Sequence, residues 1–122
     1  MDSNELNERR EPLTDRAGFV ALELRVGTVR EARNHASARK PAYVLRIDFG
    51  ARIGERTSSA QLAANYAPDE LVGRQVVCVM NLAALNVAGV ESQVLVLGAL
   101  SSERGTILLA PERPVEDGSR IA

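Results

Sequence analysis

Alternating apolar and polar residues predict β-structure in the first half of the chain. From Leu22 to Ala32 the two kinds of side chain mostly alternate, and from Tyr43 to Phe49 every second residue is apolar. A period of two residues is expected of a strand with one buried face. Gly27 lies inside the first strand. A glycine there predicts a bulge or sharp coil that lets one strand serve two sheets.

The second half predicts further strands and one short helix. Residues 56–60 are polar and compatible with a strand, and Pro68 followed by two acidic residues favours a helix start that Gly73 ends. Apolar runs predict buried strands at residues 75–80 and 94–99 and another strand at residues 107–110. A long loop from Asn81 to Ser92 separates the first two of these runs.

This order of elements predicts an all-β fold. Three strands, a helix and two strands match a five-stranded OB-fold barrel with a short helix between strands 3 and 4. Thr14 and Asp15 are suited to begin an N-terminal helix that runs to about Val20, and the tail supplies C-terminal extra strands. The 122 residues fit one domain. We expect residues 1–13, which are polar and charged, to be a disordered leader and residues 14–122 to form the domain.

The composition excludes several kinds of site. The chain has one Cys and one His, too few for a zinc site built from those ligands, and Cys78 lies in an apolar run that predicts a buried thiol. Nucleophile-elbow and phosphate-loop motifs are absent, so we expect neither catalysis nor a cofactor. No apolar run reaches the ~18 residues that cross a membrane, and the N-terminal residues lack a signal-peptide core. We therefore expect a cytoplasmic protein without membrane insertion.

Charge is distributed unevenly along a chain whose net charge is −1. Between Arg25 and Arg56 there are eight Arg or Lys residues against three acidic residues. Such a segment favours an anionic partner, either a nucleic acid or an acidic polypeptide. Aromatic residues make up only 3% of the chain, which is few for a surface on which many bases stack.

Two loops are the candidate ligand-binding segments. In the first, Pro41 stiffens a connector that displays Arg39 and Lys40. His35 in this loop fits an ordinary surface histidine or a binding residue, and Tyr43 at its end fits either the core or a pocket rim. The second loop, from Asn81 to Ser92, fits a ligand-binding loop of an OB barrel or a packed hairpin whose amides satisfy its own backbone.

Several separated segments, taken in order, resemble one known family. The resemblance covers about Phe19 to Ala122 and is carried by the segments Leu24–Val29, Ala38–Tyr43, Ile47–Gly50, Ser58–Gln61, Leu71–Val77 and Val94–Gly98, together with Asn81, Leu82, Gly89 and Ser92. The chain resembles the tRNA-binding-domain family, and most closely its free-standing branch, the CsaA-type export chaperones.

The resemblance implies a non-enzymatic OB-fold homodimer that binds unfolded polypeptides or preproteins for protein export, or alternatively tRNA. The ligand-binding residues that it and the loops suggest are His35, Arg39, Lys40, Tyr43, Arg56, Ser59, Gln61, Asn81, Leu82, Leu85, Asn86, Gly89 and Ser92. For a polypeptide, Leu82, Leu85 and Val87 would line the pocket. For tRNA, the Arg39–Lys40 loop with Arg25, Arg46 and Arg56 would line a positive groove.

One departure from the family pattern affects this choice. After Asn81 and Leu82, family members usually carry proline and basic residues, whereas this chain has Ala83, Ala84, Leu85, Asn86 and later Glu91. Each lost phosphate contact would lower the salt slope of RNA binding by nearly one unit. The loop is also more apolar, which favours a polypeptide ligand.

Overall fold

The computed structural model describes residues 2–122 and confirms an all-β fold. Short helices and strands follow one another as α1 (Ser3–Glu8), α2 (Arg16–Val20), β1 (Leu24–Asn34), β2 (Tyr43–Asp48), β3 (Glu55–Ala60), α3 (Pro68–Leu71), β4 (Gln75–Val79), β5 (Leu85–Val87), β6 (Val90–Ser92), β7 (Leu95–Val96), β8 (Gly98–Ser101) and β9 (Gly105–Leu108). The main sheet has five antiparallel strands in the order β3–β2–β1–β4–β7. The helix between strands 3 and 4 lies where the sequence predicts it.

Strand β1 pairs with β4 along its first half and with β2 along its second half, within one sheet, and the role of Gly27 differs from the predicted one. The register of β1 against β2 shifts between Val29 and Glu31, so the irregularity lies beyond the glycine. A Cβ atom on Gly27 would lie 2.7 Å from side-chain atoms of Ile47 and Phe49. Gly27 is therefore needed for close packing against the core, and the predicted bulge at this residue is wrong.

The barrel is nearly closed between β3 and the segment that leads into β7. Gln93 donates its backbone N–H to the carbonyl of Thr57 at 2.8 Å, and its side-chain oxygen accepts the N–H of Thr57 at 2.8 Å. The buried hydroxyl of Ser58 donates to the carbonyl of Val94 at 2.9 Å. These bonds satisfy part of the edge of β3, which would otherwise expose unpaired backbone groups.

The hydrophobic core fills the barrel, and α3 contributes to it through Leu71. Leu45 and Ile47 of β2 and Val76 of β4 pack with Leu71 of α3, and all four side chains are fully buried. Cys78 lies in the same cluster, as the sequence predicts. Burial raises the pKa of its thiol to about 12, because desolvation disfavours the thiolate.

The C-terminal segment bonds the backbone of β1 along the edge of its first half. Gly118 donates its N–H to the carbonyl of Val26 at 2.7 Å, and Ile121 donates to the carbonyl of Leu24 at 2.9 Å. Ile121 and Leu97 pack against a second, smaller apolar cluster. The run at residues 94–99 is divided between β7 and β8, because β8 leaves the barrel to pair with β9 as an extra hairpin.

The N-terminal residues differ from the predicted disordered leader. Residues 3–8 form helix α1, in which the carboxylate of Asp2 accepts the N–H of Glu5 at 2.8 Å. Asn7 then donates its side-chain amide to the carbonyl of Leu100 in β8 at 3.0 Å. The predicted N-terminal helix is present as α2, although its N-cap residue, Asp15, makes no side-chain capping bond.

Candidate functional site

A groove lies where three chain segments meet at one end of β3. The connector between β1 and β2 forms one wall, the β5–β6 hairpin forms the other, and the end of β3 lies between them. The cavity has a volume of about 570 Å³ and is lined by Ala38, Arg39, Lys40, Ala42, Ser59, Gln61, Asn86, Val87 and Ala88. The fold thus brings both predicted loops to one site.

The hairpin wall lies in the segment from Asn81 to Ser92, for which the sequence favours either a ligand-binding loop or a packed hairpin. Val87 pairs with Val90, and the two residues between them have positive φ angles of 46° for Ala88 and 88° for Gly89. Two positive φ angles are typical of a type I′ turn, which favours glycine at the second position. The side-chain oxygen of Asn86 accepts the N–H of Gly89 at 2.9 Å. Gly89 therefore shapes the turn.

Side-chain hydrogen bonds fasten this hairpin to the barrel. Ser92 accepts the backbone N–H of Ser59 at 3.0 Å. The Nδ1 atom of His35 lies 2.9 Å from the hydroxyl oxygen of Ser59, and its Nε2 atom lies 3.4 Å from the carbonyl oxygen of Ala88. His35 is only 6% exposed, so its interpretation as a surface histidine is wrong. Its ring connects β1, β3 and the turn of the hairpin.

The predicted positive groove is much smaller than the sequence suggests. Arg39 and Lys40 line the groove and are exposed, and within residues 2–122 neither makes an ion pair or a hydrogen bond. Most other basic residues of the segment are neutralised by carboxylates. The pairs are Arg25 with Glu23, Arg30 with Asp48 and Asp117, Arg33 with Glu31, and Arg46 with Glu31 and Glu55.

Besides His35, Gly89 and Ser92, which hold or shape the hairpin, five more predicted site residues do not line the groove. Tyr43 is buried, and its hydroxyl donates to the carbonyl of Tyr66 at 2.7 Å, so it belongs to the core. Arg56 donates to the carbonyls of Ile53 and Glu55 at the start of β3. Asn81 bonds the backbone of Ala21 and Glu23. Leu82 and Leu85 are exposed, and neither lines this groove.

Sequence reasoning missed the small apolar residues of the groove wall. Ala38, Ala42 and Ala88 line the cavity beside Val87. Alanine carries no chemical signal of binding, so only its position in the two loops could have indicated these residues. The described residues 2–122 contain no cluster of three His, Cys, Asp or Glu side chains suited to a metal ion. Among them there is also no helix long and apolar enough to cross a membrane.

Comparisons with known proteins agree with this fold. Residues 24–120 match the family described as "Putative tRNA binding domain". A methionine–tRNA ligase from Pyrococcus furiosus is 39% identical over 103 residues, which are 84% of this chain but 14% of that protein. The chain therefore spans about a seventh of the length of such relatives.

Two solved structures of chaperones are also similar. The CsaA chaperone from Bacillus anthracis has a TM-score of 0.86 and 40% identity, covering 91% of this chain and 100% of its own. CsaA from Picrophilus torridus has a TM-score of 0.86 and 39% identity, covering 90% of this chain and 100% of its own. The matched family region and these full-length structural matches lead to one conclusion. The chain belongs to the tRNA-binding-domain family and is related to the CsaA chaperones.

Proposed function

We propose that this domain is a non-enzymatic, CsaA-like chaperone that binds an extended segment of unfolded polypeptide in the groove beside His35. The composition of the groove wall carries the proposal. Ala38, Ala42, Val87 and Ala88 offer apolar contact, while Gln61 offers a side-chain amide that makes no hydrogen bond within residues 2–122. Apolar walls with a few placed polar groups suit a ligand whose affinity comes from burial and whose orientation comes from hydrogen bonds.

The lack of an aromatic ring in the groove also favours a polypeptide over RNA. Tyr43 is buried in the core, and Tyr66 accepts the N–H of Leu108 and lies under the guanidinium of Arg74. Single-stranded bases are held mainly by stacking on such rings, worth about 1–3 kcal/mol per base. A nucleic acid in this groove would have to rely on Arg39 and Lys40.

The homodimer is part of the same proposal. Large apolar side chains are exposed on two elements, with Val20 68% exposed on α2 and Leu95 51% exposed on β7. The side chain of Asn81 bonds the backbone of Ala21, which brings the exposed Leu82 beside the end of α2. An apolar surface that includes such exposed side chains suits a protein–protein interface. A second copy of the chain would cover it and present two grooves.

The alternative function is tRNA binding, and one observation favours it. Arg39 and Lys40 are the exposed cations of the groove and are left without carboxylate partners in residues 2–122. In a domain of the tRNA-binding family they are suited to contact phosphates. With only two such cations, binding would depend on salt with a slope of about two units.

The biological setting extends the proposal. A binder of unfolded chains related to the CsaA chaperones would hold preproteins before export, and we place it in the cytoplasm, where such chains are made.

The test is a pair of titrations by fluorescence anisotropy. A labelled unfolded preprotein segment and a labelled tRNA are each titrated with the protein at low and at near-physiological salt. Peptide binding that persists with salt, together with negligible tRNA binding, supports the chaperone. Tight tRNA binding that collapses with salt, with no peptide binding, would replace it with the RNA function.

A further inference from the structure

A second cavity continues from the groove across the side chains of Lys40 and Gln61. It has a volume of about 440 Å³ and is lined by those two residues with Pro41, Ala63, Ala64, Gly105 and Thr106. Lys40 and Gln61 line both cavities, so they stand at the junction. The far wall is the start of β9 in the β8–β9 hairpin, which lies outside the five-stranded sheet.

The far wall is fixed in place by Asn65. Its side-chain amide donates to the carbonyls of Arg104 and Thr106, at 2.5 Å and 2.9 Å. Gly105 has a φ of +77°, and a Cβ atom there would lie 2.9 Å from the amide nitrogen of Asn65. The turn therefore approaches the segment after β3 closely, and the second cavity has two defined sides.

The chemistry of this second cavity is simple. Pro41, Ala63 and Ala64 provide small apolar surface, and Lys40 is its one charged lining residue. No aromatic ring lines it, so a nucleotide base would have no stacking partner. A chain that runs through both cavities passes an exposed lysine with no carboxylate partner in residues 2–122 at its midpoint. Charge complementarity there calls for an acidic group.

We propose that this cavity is a second subsite for the polypeptide ligand, so that an extended segment occupies both cavities with an acidic residue opposite Lys40 and small apolar residues on either side. The inference rests on the proposed function, because it extends the same groove. It assigns a binding role to the β8–β9 hairpin and to Ala64.

Two peptides of different length and one cavity-filling substitution test the subsite. Ala64 is exposed, so Ala64→Leu can occupy the cavity without disturbing the core, and Ala67→Leu is the matched control because Ala67 is exposed and lines neither cavity. The probes are a labelled nine-residue peptide of alanine and valine with one central aspartate, and its three-residue core. We expect Ala64→Leu to weaken binding of the long peptide about tenfold and to leave binding of the short peptide unchanged. Ala67→Leu should change the binding of neither peptide.

A substitution at the centre of the long peptide separates the effect of its charge on binding from the effect of its length. Replacing the aspartate of the long peptide by asparagine should weaken binding to the wild-type protein severalfold and have little effect on the Lys40→Ala variant.

Several results would overturn the subsite. Equal affinity of the wild-type protein for both peptides, or no effect of Ala64→Leu on the long peptide, would remove the subsite while leaving the groove intact. A loss of oligonucleotide rather than peptide binding in Ala64→Leu would assign the cavity to RNA. Absence of binding at every peptide length would remove the proposed function itself, and the subsite with it.

Discussion

The imidazole of His35 and the hydroxyl of Ser59 lie 2.9 Å apart, and this contact joins the connector after β1 to the end of β3 beneath the groove. The other ring nitrogen of His35 faces the carbonyl of Ala88, 3.4 Å away, in the turn of the β5–β6 hairpin. A single buried side chain therefore holds both walls of the site at a fixed separation. The backbone N–H of Ser59 adds a second tie through Ser92.

Removing this ring should destabilise the domain and loosen the groove. His35→Ala leaves the groups of Ser59 and Ala88 without their partner and opens space under the hairpin, so we expect a loss of about 1–3 kcal/mol in the free energy of unfolding. Urea denaturation measures it. A double-mutant cycle with Ser59→Ala should give a coupling of about 0.5–1.5 kcal/mol. Additive effects of the two substitutions would show that the contact contributes nothing.

Reversing the two groove cations should separate the two candidate ligands. Arg39→Glu with Lys40→Glu should weaken any tRNA binding strongly and reduce the salt slope of the binding that remains by about two units. Binding of an uncharged unfolded peptide should change by less than threefold. Anisotropy titrations measure both ligands.

The matched control for that pair is Arg33→Glu with Arg52→Glu. It changes the net charge equally, and neither residue lines the groove. If the control variant lost tRNA binding as strongly as the groove variant, the effect would come from overall charge and not from this site.

Much of the barrel could be predicted from the sequence, because strands with one buried face carry a period of two. The pattern from Tyr43 to Phe49 placed β2 within one residue, and Pro68 marked the start of α3. Gly27 was misjudged because a glycine needed for close packing and a glycine in a bulge look alike in sequence. The approach of Ile47 to Gly27 exists only after the strands pair.

The site was harder to predict because it depends on the register between paired strands and on contacts between segments that are far apart in the sequence. Arg46 lies opposite Glu31 across β1 and β2, a pairing that cancels its charge and that composition cannot reveal. His35 looked like a loop residue, yet the hairpin that covers it follows some fifty residues later. Arg39, Lys40 and Asn86, which the two loops suggested, do lie in one groove with Ser59 and Gln61, which the family resemblance suggested.

The buried thiol of Cys78 should make stability fall at high pH. Its pKa is raised from 9.0 to about 12 by burial, so between these values the unfolded chain loses the thiol proton while the folded chain keeps it. The contribution of this group is full below pH 9.0 and declines as pH rises towards 12. Within this range the contribution of the thiol to the free energy of unfolding falls by up to about 1.4 kcal/mol per pH unit.

Comparison with Cys78→Ala isolates the contribution of this thiol to the pH dependence of the free energy of unfolding. Free energies of unfolding from denaturant curves between pH 8 and about 11 should converge for the two proteins as pH rises. Parallel curves would show that the thiol titrates equally in both states. In the wild-type protein, alkylation of the thiol should also be slow until denaturant is added.

The exposed apolar surface of α2 should be the contact between two copies of the chain. Light scattering should give about twice the monomer mass of 13.2 kDa at micromolar concentration. Val20→Asp should produce the monomer, because the side chain is exposed in one copy and a buried carboxylate would oppose association. Arg16→Asp, also exposed on α2, is the control and should stay dimeric. A wild-type mass near 13.2 kDa would contradict the dimer.

The most direct test of the central claim is to map polypeptide binding residue by residue. Backbone amide NMR spectra of the wild-type protein are recorded during titration with an unfolded preprotein segment. We predict the largest shifts at Ser59, Gln61 and residues 86–88, with little change at Arg52 and Gly118 on the cavity at the other end of β3. Shifts confined to residues outside the groove, or no saturable shift at all, would contradict a polypeptide-binding role for this site.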